Sequence, residues 1–262
     1  MKTKKDEVFS CKNVYFCYLQ LFVMLLLTTY VSIYVFLLLL IIGFFISLNR
    51  LSKIAEQRRK DRELLQTVTG LDRGTWSERE LVLMLLKMGI SPLAIFHDLY
   101  VEKSDKNYSQ IDIVVATKVG IIVFEVKDYS GWLFGNGYQT YWTQVLSYGN
   151  DKFRFYNPIM QNNGHIQTLK KKLKECADVP FYSVIVFYGD CELKEINSIP
   201  DGVKVVYPED VPHIVNQILE NDATVYYANK REVVDLLKEA VNNGANAEIC
   251  DKHVRQLNEK YS

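Results

Sequence analysis

Hydrophobic side chains are distributed unevenly along this chain. No Lys, Arg, Asp or Glu stands between Lys12 and Arg50, and the stretch from Leu21 to Leu48 is dominated by Leu, Ile, Val and Phe. A run this long and apolar predicts a membrane-spanning helix. The 37 uncharged positions, 13–49, would reach about 55 Å as a helix, more than one bilayer core needs and scarcely enough for two crossings and a turn. A single span over residues 21–48 is the expectation, with a hairpin turning near Thr28 and Thr29 as the alternative. Tyr15, Phe16 and Tyr18 would form an interfacial aromatic belt. The run is too long for a cleaved signal peptide and lacks a small-x-small exit site.

Beyond Arg50 the pattern changes. Residues 50–68 are charged, with apolar Leu51, Ile54, Ala55, Leu64 and Leu65, and read as a helical stalk that the segment Gly70 to Gly74 breaks. Leu81, Val82, Leu85 and Leu86 lie at helical spacing within Trp76–Met88, and Gly89 ends that helix. Phe96–Val101 predicts a strand. Gln110–Thr117 and Gly120–Asp128 are two β-branched runs joined by a short turn, the pattern of a hairpin. Both of its faces are apolar, with Ile111, Ile113, Val115, Ile122 and Phe124 on one and Val114, Ala116, Ile121 and Val123 on the other. Layers must therefore cover both sides, which predicts an α/β sandwich.

Asn157-Pro158 reads as a capped helix start, with the helix running through Ile166, Leu169 and Leu173 to about Cys176. Phe181–Tyr188 predicts a buried strand and Val203–Tyr207 a short edge strand. Pro208–Leu219, Arg231–Val241 and Asn246–Lys260 read as helices. The expected organisation is a short tail (1–20), the span (21–48), the stalk (49–69), a core domain (70–190) and an α-rich C-terminal extension (191–262).

Composition narrows the classes. At 48% hydrophobic and 24% charged residues the chain is neither disordered nor low in complexity. Five scattered cysteines without a C-x-x-C pair suit a reducing compartment. Cys11 and Cys17 are either acylated beside the membrane or simple buried thiols. Lys2, Lys4, Lys5 and Lys12 precede the span and Arg50, Lys53, Arg58, Arg59, Lys60 and Arg62 follow it, a margin that places the large C-terminal part in the cytosol. After residue 49 there remain 27 basic (31 minus 4) and 29 acidic (31 minus 2) side chains, so any nucleic-acid contact must be local.

The chemistry lies in the hairpin. If it closes symmetrically about Lys118 and Val119, Asp112 stands opposite Glu125, and Lys127 shares the face of Glu125. Two carboxylates and an ammonium at the end of an apolar face need a reason. One is a divalent metal, Mg²⁺ or Mn²⁺, held by the hard oxygens of Asp112 and Glu125 while Lys127 acts on a water and on a phosphate. The other is an ion pair in which Lys127 neutralises both acids.

Four motifs in order give this pattern its context: Gly74-Thr-Trp-Ser-Glu78, Gln110-Ile-Asp112, Phe124-Glu125-Val-Lys127-Asp-Tyr-Ser-Gly131-Trp132, and Asn157-Pro-Ile-Met-Gln161. Residues 70–188 resemble the nuclease-related domain (NERD), a branch of the PD-(D/E)xK nuclease-like superfamily. The resemblance implies a restriction-endonuclease-like mixed sheet flanked by helices, with Asp112, Glu125 and Lys127 as metal-binding and water-activating residues. It also implies Glu78 as an acid on the first helix and Gln161 as an amide on the last. The family usually has Gly before its first Glu and His after its Asp, where this chain has Ser77 and Ile113; Glu80 is a nearby rival for Glu78.

His165 lies four residues beyond Gln161 on the same helical face, within reach of the carboxylates or simply solvated. Lys170, Lys171, Lys172 and Lys174 form the densest basic patch, either a DNA backbone contact or a solvated face. Trp132, Phe134, Tyr138, Tyr141 and Trp142 either stack on unpaired bases or pack a loop over the sheet. His97, His213 and His253 show no ligand spacing. Two functions follow: a membrane-anchored, Mg²⁺-dependent nuclease acting on DNA, or a non-catalytic, membrane-tethered nucleic-acid-binding or protein-interaction module that keeps the nuclease fold.

Overall fold

A computed structural model describes residues 4–103, 107–146, 149, 151–173, 179–221, 223–227 and 229–261. The side chains of Tyr15, Cys11 and Cys17, and all of Lys174 and Cys176, lie outside the described residues. The chain divides into two compact units, residues 1–60 and 61–262.

Helix α1 is Lys4–Leu65. Leu21, Leu39 and Phe45 are each more than 60% exposed, so among the described residues its apolar surface is left uncovered. A helix apolar all round is the kind that lipid solvates. It is long and apolar enough to cross a membrane. It continues through Thr28 and Thr29, whose hydroxyls donate to the Leu25 and Leu26 carbonyls at 2.9 Å, so no hairpin forms there.

The second unit is α/β. Its main sheet joins β1 (Ile95–Glu102), β2 (Tyr108–Thr117), β3 (Gly120–Asp128), β7 (Phe181–Tyr188) and β9 (Val203–Val206) in the order β1-β2-β3-β7-β9. The first three are antiparallel, while β7 and β9 run parallel to β3 and its neighbour. One face is covered by Leu81, Val82 and Leu85 of α2 (Trp76–Lys87) and by Val211 and Val215 of α4 (Val211–Asn221). The other is covered by Ile166 and Leu169 of α3 (Pro158–Lys172) and by Val233 and Leu237 of α5 (Lys230–Gly244). This is the sandwich that the two apolar faces demand.

The β2–β3 register is the symmetric one, with Val114 opposite Val123 and Thr117 opposite Gly120. The expected faces hold from Ile113 onward. Ile111, however, packs with Phe96, Leu99 and Val114 rather than with Ile113. The β1–β2 ladder passes from His97↔Ile113 to Leu99↔Ile111, and Asp98 between them has φ +55°. This irregularity reverses which side the following residues face.

A second sheet orders β6 (Asp151–Tyr156), β5 (Tyr141–Leu146), β4 (Gly131–Asn136) and β8 (Cys191–Asn197). The span 191–262, read from sequence as α-rich, thus begins with two strands that complete the two sheets. Leu133 and Trp142 seal the inner side of this second sheet against Ile159, Ile185 and Phe187. Trp142 stacks on Phe187 at 5.9 Å and donates its indole N–H to the Asn136 carbonyl at 3.0 Å. Gly135 must be glycine, because a Cβ there would fall 2.3 Å from the Trp142 ring. Helix α6 is Ala247–Tyr261.

Candidate active site

The site forms where two paired strands part. The β2–β3 ladder ends at Ile113↔Phe124, one step before Asp112 and Glu125. The freed Val126 N–H is taken by the Asp112 Oδ2 at 2.7 Å. Asp112 stays partly exposed to the cleft, whereas Glu125 is completely buried.

Glu125 is gripped by charge. Lys127 Nζ lies 2.5 Å from its Oε1 and His165 Nε2 lies 3.2 Å from its Oε2, yet neither approach has the angles of a well-formed hydrogen bond. The far side of His165, Nδ1, is 2.9 Å from the Ser109 hydroxyl. Burial pushes Glu125 upward, but Lys127 and His165 outweigh it and hold the carboxyl below its ordinary range. Burial likewise favours loss of the Lys127 proton, and the charges of Glu125 and Asp112 more than reverse this. Asp112 goes the other way: burial first, then the charges of Glu125 and Glu78, push it well above the ordinary aspartate value. Two acids with opposed shifts beside one ammonium mark a candidate functional site.

Glu78 sits in the first turn of α2, which Thr75 caps through its hydroxyl. Its Oε1 accepts from Thr75 Oγ1 at 2.8 Å, and its Oε2 lies 3.1 Å from His97 Nε2. His97 in turn meets Thr69 Oγ1 at 2.8 Å through Nδ1. Burial raises the Glu78 pKa, but His97 and Thr75 prevail and lower it. Gly74 (φ +61°) crosses directly against this pair, where a Cβ would lie 2.5 Å from both Glu78 Oε2 and His97 Nε2. Glu80, the sequence rival, lies toward Tyr188, whose hydroxyl is pushed up by burial first and by the Glu80 charge second.

Asp112, Gln161 and His165 line one cleft of about 390 Å³, together with Ser109, Tyr108, Tyr156 and His253. Asn157 positions this end of α3: its Oδ1 accepts from Ile159 N at 2.9 Å, and its Nδ2 donates to the carbonyls of Gly137 and Gln139. Glu125, Lys127 and Glu78 are each within electrostatic reach of Asp112, which shares the cleft with Gln161. Ile113 is fully buried in the core, and Ser77 lies 3.3 Å from the Thr75 hydroxyl.

The basic patch lies elsewhere on α3. Lys170 Nζ stands 5.3 Å over the Phe181 ring, Lys172 is 4.0 Å from Glu102, and Lys171 is exposed. From Gln161 to Lys171 the helix rises about 15 Å.

Among the described residues no group of three or more His, Cys, Asp or Glu side chains is gathered as a metal site. The donors present are two carboxylates, and the buried Glu125 oxygens lack well-formed hydrogen bonds. Hard oxygens with unspent lone pairs fit Mg²⁺ or Mn²⁺.

Sequence reasoning undervalued His165 and passed over His97, Ser109 and Thr69. His165 carried one signal, its spacing from Gln161; the pairing of His97 with Glu78 joins a helix to a strand and leaves no local trace.

Residues 73–188 match the family of the nuclease-related domain. Over 191 residues the chain is also 27% identical to an uncharacterized protein of Bacillus anthracis, covering 72% of this chain and 86% of that one. No solved structure matches. All four sequence motifs fall inside the matched segment.

Proposed function

We propose that this chain is a membrane-anchored nuclease that hydrolyses DNA phosphodiesters with Mg²⁺ or Mn²⁺, its nuclease-related domain in the cytosol. The observation that carries the reading is the meeting of Asp112, Glu125 and Lys127 where β2 and β3 part, with Asp112 on a cleft shared with Gln161. Asp112 and Glu125 would hold the cation, which when bound supplies an activated water and offsets charge on the phosphate. Lys127 keeps Glu125 ionised and offers an ammonium to the charge that builds on the phosphate oxygens. Gln161 orients the attacking water, and Glu78 adds negative charge on the side of Asp112. The α1 segment anchors the chain, and the excess of basic residues after it supports the cytosolic orientation. Lys170, Lys171 and Lys172 would hold DNA backbone beyond the cleft.

One observation favours a second reading. Both Glu125 oxygens already face a cation or a ring nitrogen, as they would in a purely structural ion pair supporting a non-catalytic module. The deciding experiment incubates the full chain in non-ionic detergent with plasmid DNA, in Mg²⁺, in Mn²⁺ and in chelator. Metal-dependent cleavage that disappears in Asp112→Ala supports the nuclease; no cleavage with either metal, or equal cleavage by the variant, overturns it.

A further inference from the structure

We propose that the outer face of the second sheet, the face turned away from Leu133 and Trp142, leads a single unpaired nucleic-acid strand to the cleft. The inference rests on the nuclease reading and names the form of its substrate.

Cross-strand partners share a face, so the registers define this surface. Tyr156 pairs with Tyr141, Arg154 with Thr143, and Lys152 with Val145, which in turn pairs with Trp132. Buried Trp142 belongs to the opposite face, against the core. The aromatic residues of this region therefore serve two roles: Trp142 packs the core, while Tyr141 (42%) and Trp132 (36%) remain exposed.

Cations interleave with these rings. The Arg154 guanidinium lies 5.0 Å over Tyr141, and Lys194 Nζ lies 5.4 Å over Trp132. Lys152 and Arg154 are exposed and stand two residues apart on one strand, about 7 Å. Rings for bases and charges for phosphates are the parts of a single-strand platform. Acidic Glu192 stands at the β8 side, beside Trp132 and paired with Lys194, so the anionic strand is favoured along β5 and β6.

That route ends at the reacting groups. Tyr156 closes the platform row, with its ring 6.3 Å from that of Tyr141, and it also lines the cleft that holds Asp112 and Gln161. The cleft volume of about 390 Å³ is in the small-ligand range, a scale suited to single nucleotides entering one at a time. Exposed rings, moreover, stack only on bases that are not paired.

The test measures binding of fluorescent oligonucleotides, one single-stranded and one blunt duplex, to the full chain in non-ionic detergent and chelator, so that cleavage plays no part. Wild type is expected to prefer the single strand. Tyr141→Ala should weaken that binding roughly tenfold, as loss of one base stack does. Lys152→Ala/Arg154→Ala should lower the slope of log affinity against log salt by about 1.4, or about 0.7 per lost phosphate contact. These side chains are exposed, so melting temperatures should not change. Equal binding of duplex, or variants that bind single strand with wild-type affinity and salt slope, overturns the platform while metal-dependent cleavage still stands. Absence of both binding and cleavage overturns the nuclease reading as well.

Discussion

Val126 donates its backbone N–H to the Asp112 carboxylate at 2.7 Å, where the next rung of the β2–β3 ladder would have been. A side chain replaces a main-chain partner, so the strands part without leaving a buried amide unpaired. The same bond fixes Asp112 beside Glu125 and opens the sheet end to the cleft. It favours the charged form of Asp112, but burial and the charges of Glu125 and Glu78 dominate.

The first prediction follows from that imbalance. Asp112 is raised, so in chelator its contribution to stability is complete below its ordinary value of 3.8 and is lost as pH rises through its folded value. Glu78 and Glu125 are lowered, so theirs is present above 4.5 and is lost as pH falls through their folded values. Asp112→Asn removes only the first effect. Its melting temperature should match wild type in acid and exceed it increasingly as pH rises, by about 2–4 °C for each 1 kcal/mol of relieved repulsion. Calorimetry of Mn²⁺ binding in buffers of different ionisation heat should show proton release by wild type. A variant less stable than wild type at neutral pH would contradict the shift.

Lys127 should separate chemistry from packing. Lys127→Met keeps the stem and removes the charge beside a wholly buried Glu125. In chelator the uncompensated acid should destabilise the domain by roughly 3–5 kcal/mol, and Mg²⁺ should recover part of this. Denaturant titration with and without metal reads both effects, and plasmid cleavage in Mg²⁺ should be lost. Full activity in this variant would exclude a role for Lys127 in the reaction.

His165 should act through Glu125. His165→Phe preserves a ring but leaves Glu125 Oε2 and the Ser109 hydroxyl without their partner. A cost of about 1–3 kcal/mol is expected from the unmet polar groups. Mn²⁺ affinity, measured by calorimetry, should fall roughly 10- to 100-fold as the carboxylate loses its orientation. Unchanged affinity would mean that His165 does not position the acid.

Arg73 should prove structural. Its Nε and Nη2 lie 3.1 and 3.0 Å from Asp98 Oδ2, and Nη2 and Nη1 donate to the carbonyls of Asp98 and Val241 at 2.8 and 3.0 Å. Arg73→Leu strands a largely buried carboxylate and should cost about 3–5 kcal/mol. Arg73→Leu/Asp98→Asn should recover part of the loss. A double variant no better than the single would show that the carbonyl contacts, rather than the charge pair, carry the effect.

Legibility from sequence followed the range of the interaction. The hairpin register was readable because a short turn and β-branched runs fix it locally, and α3 because Asn157-Pro158 is a local start signal. The nearness of Asp112 to Glu125 followed from register alone. The second sheet was not readable: its strands are only six or seven residues long, mix aromatic with charged positions, and draw β8 from sixty residues further on. The break at Asp98 was equally hidden, since its positive φ is stabilised by Arg73, twenty-five positions away. The grips of His97 on Glu78 and of His165 on Glu125 belong to the same class of distant pairing.

The region after Tyr188 bears on how this protein can be handled. Strand β9 zips along β7, β8 along β4, and α5 presses Val233, Leu237 and Ala240 onto β1 and its neighbours. A fragment cut at the limits of the matched family, 73–188, would bare a hydrogen-bonding edge on each sheet and strip part of the apolar cover from both faces of the main sheet. Such edges recruit other chains. Expressed alone, that fragment should aggregate, and the shortest soluble recombinant piece should extend at least through Gly244, where α5 ends.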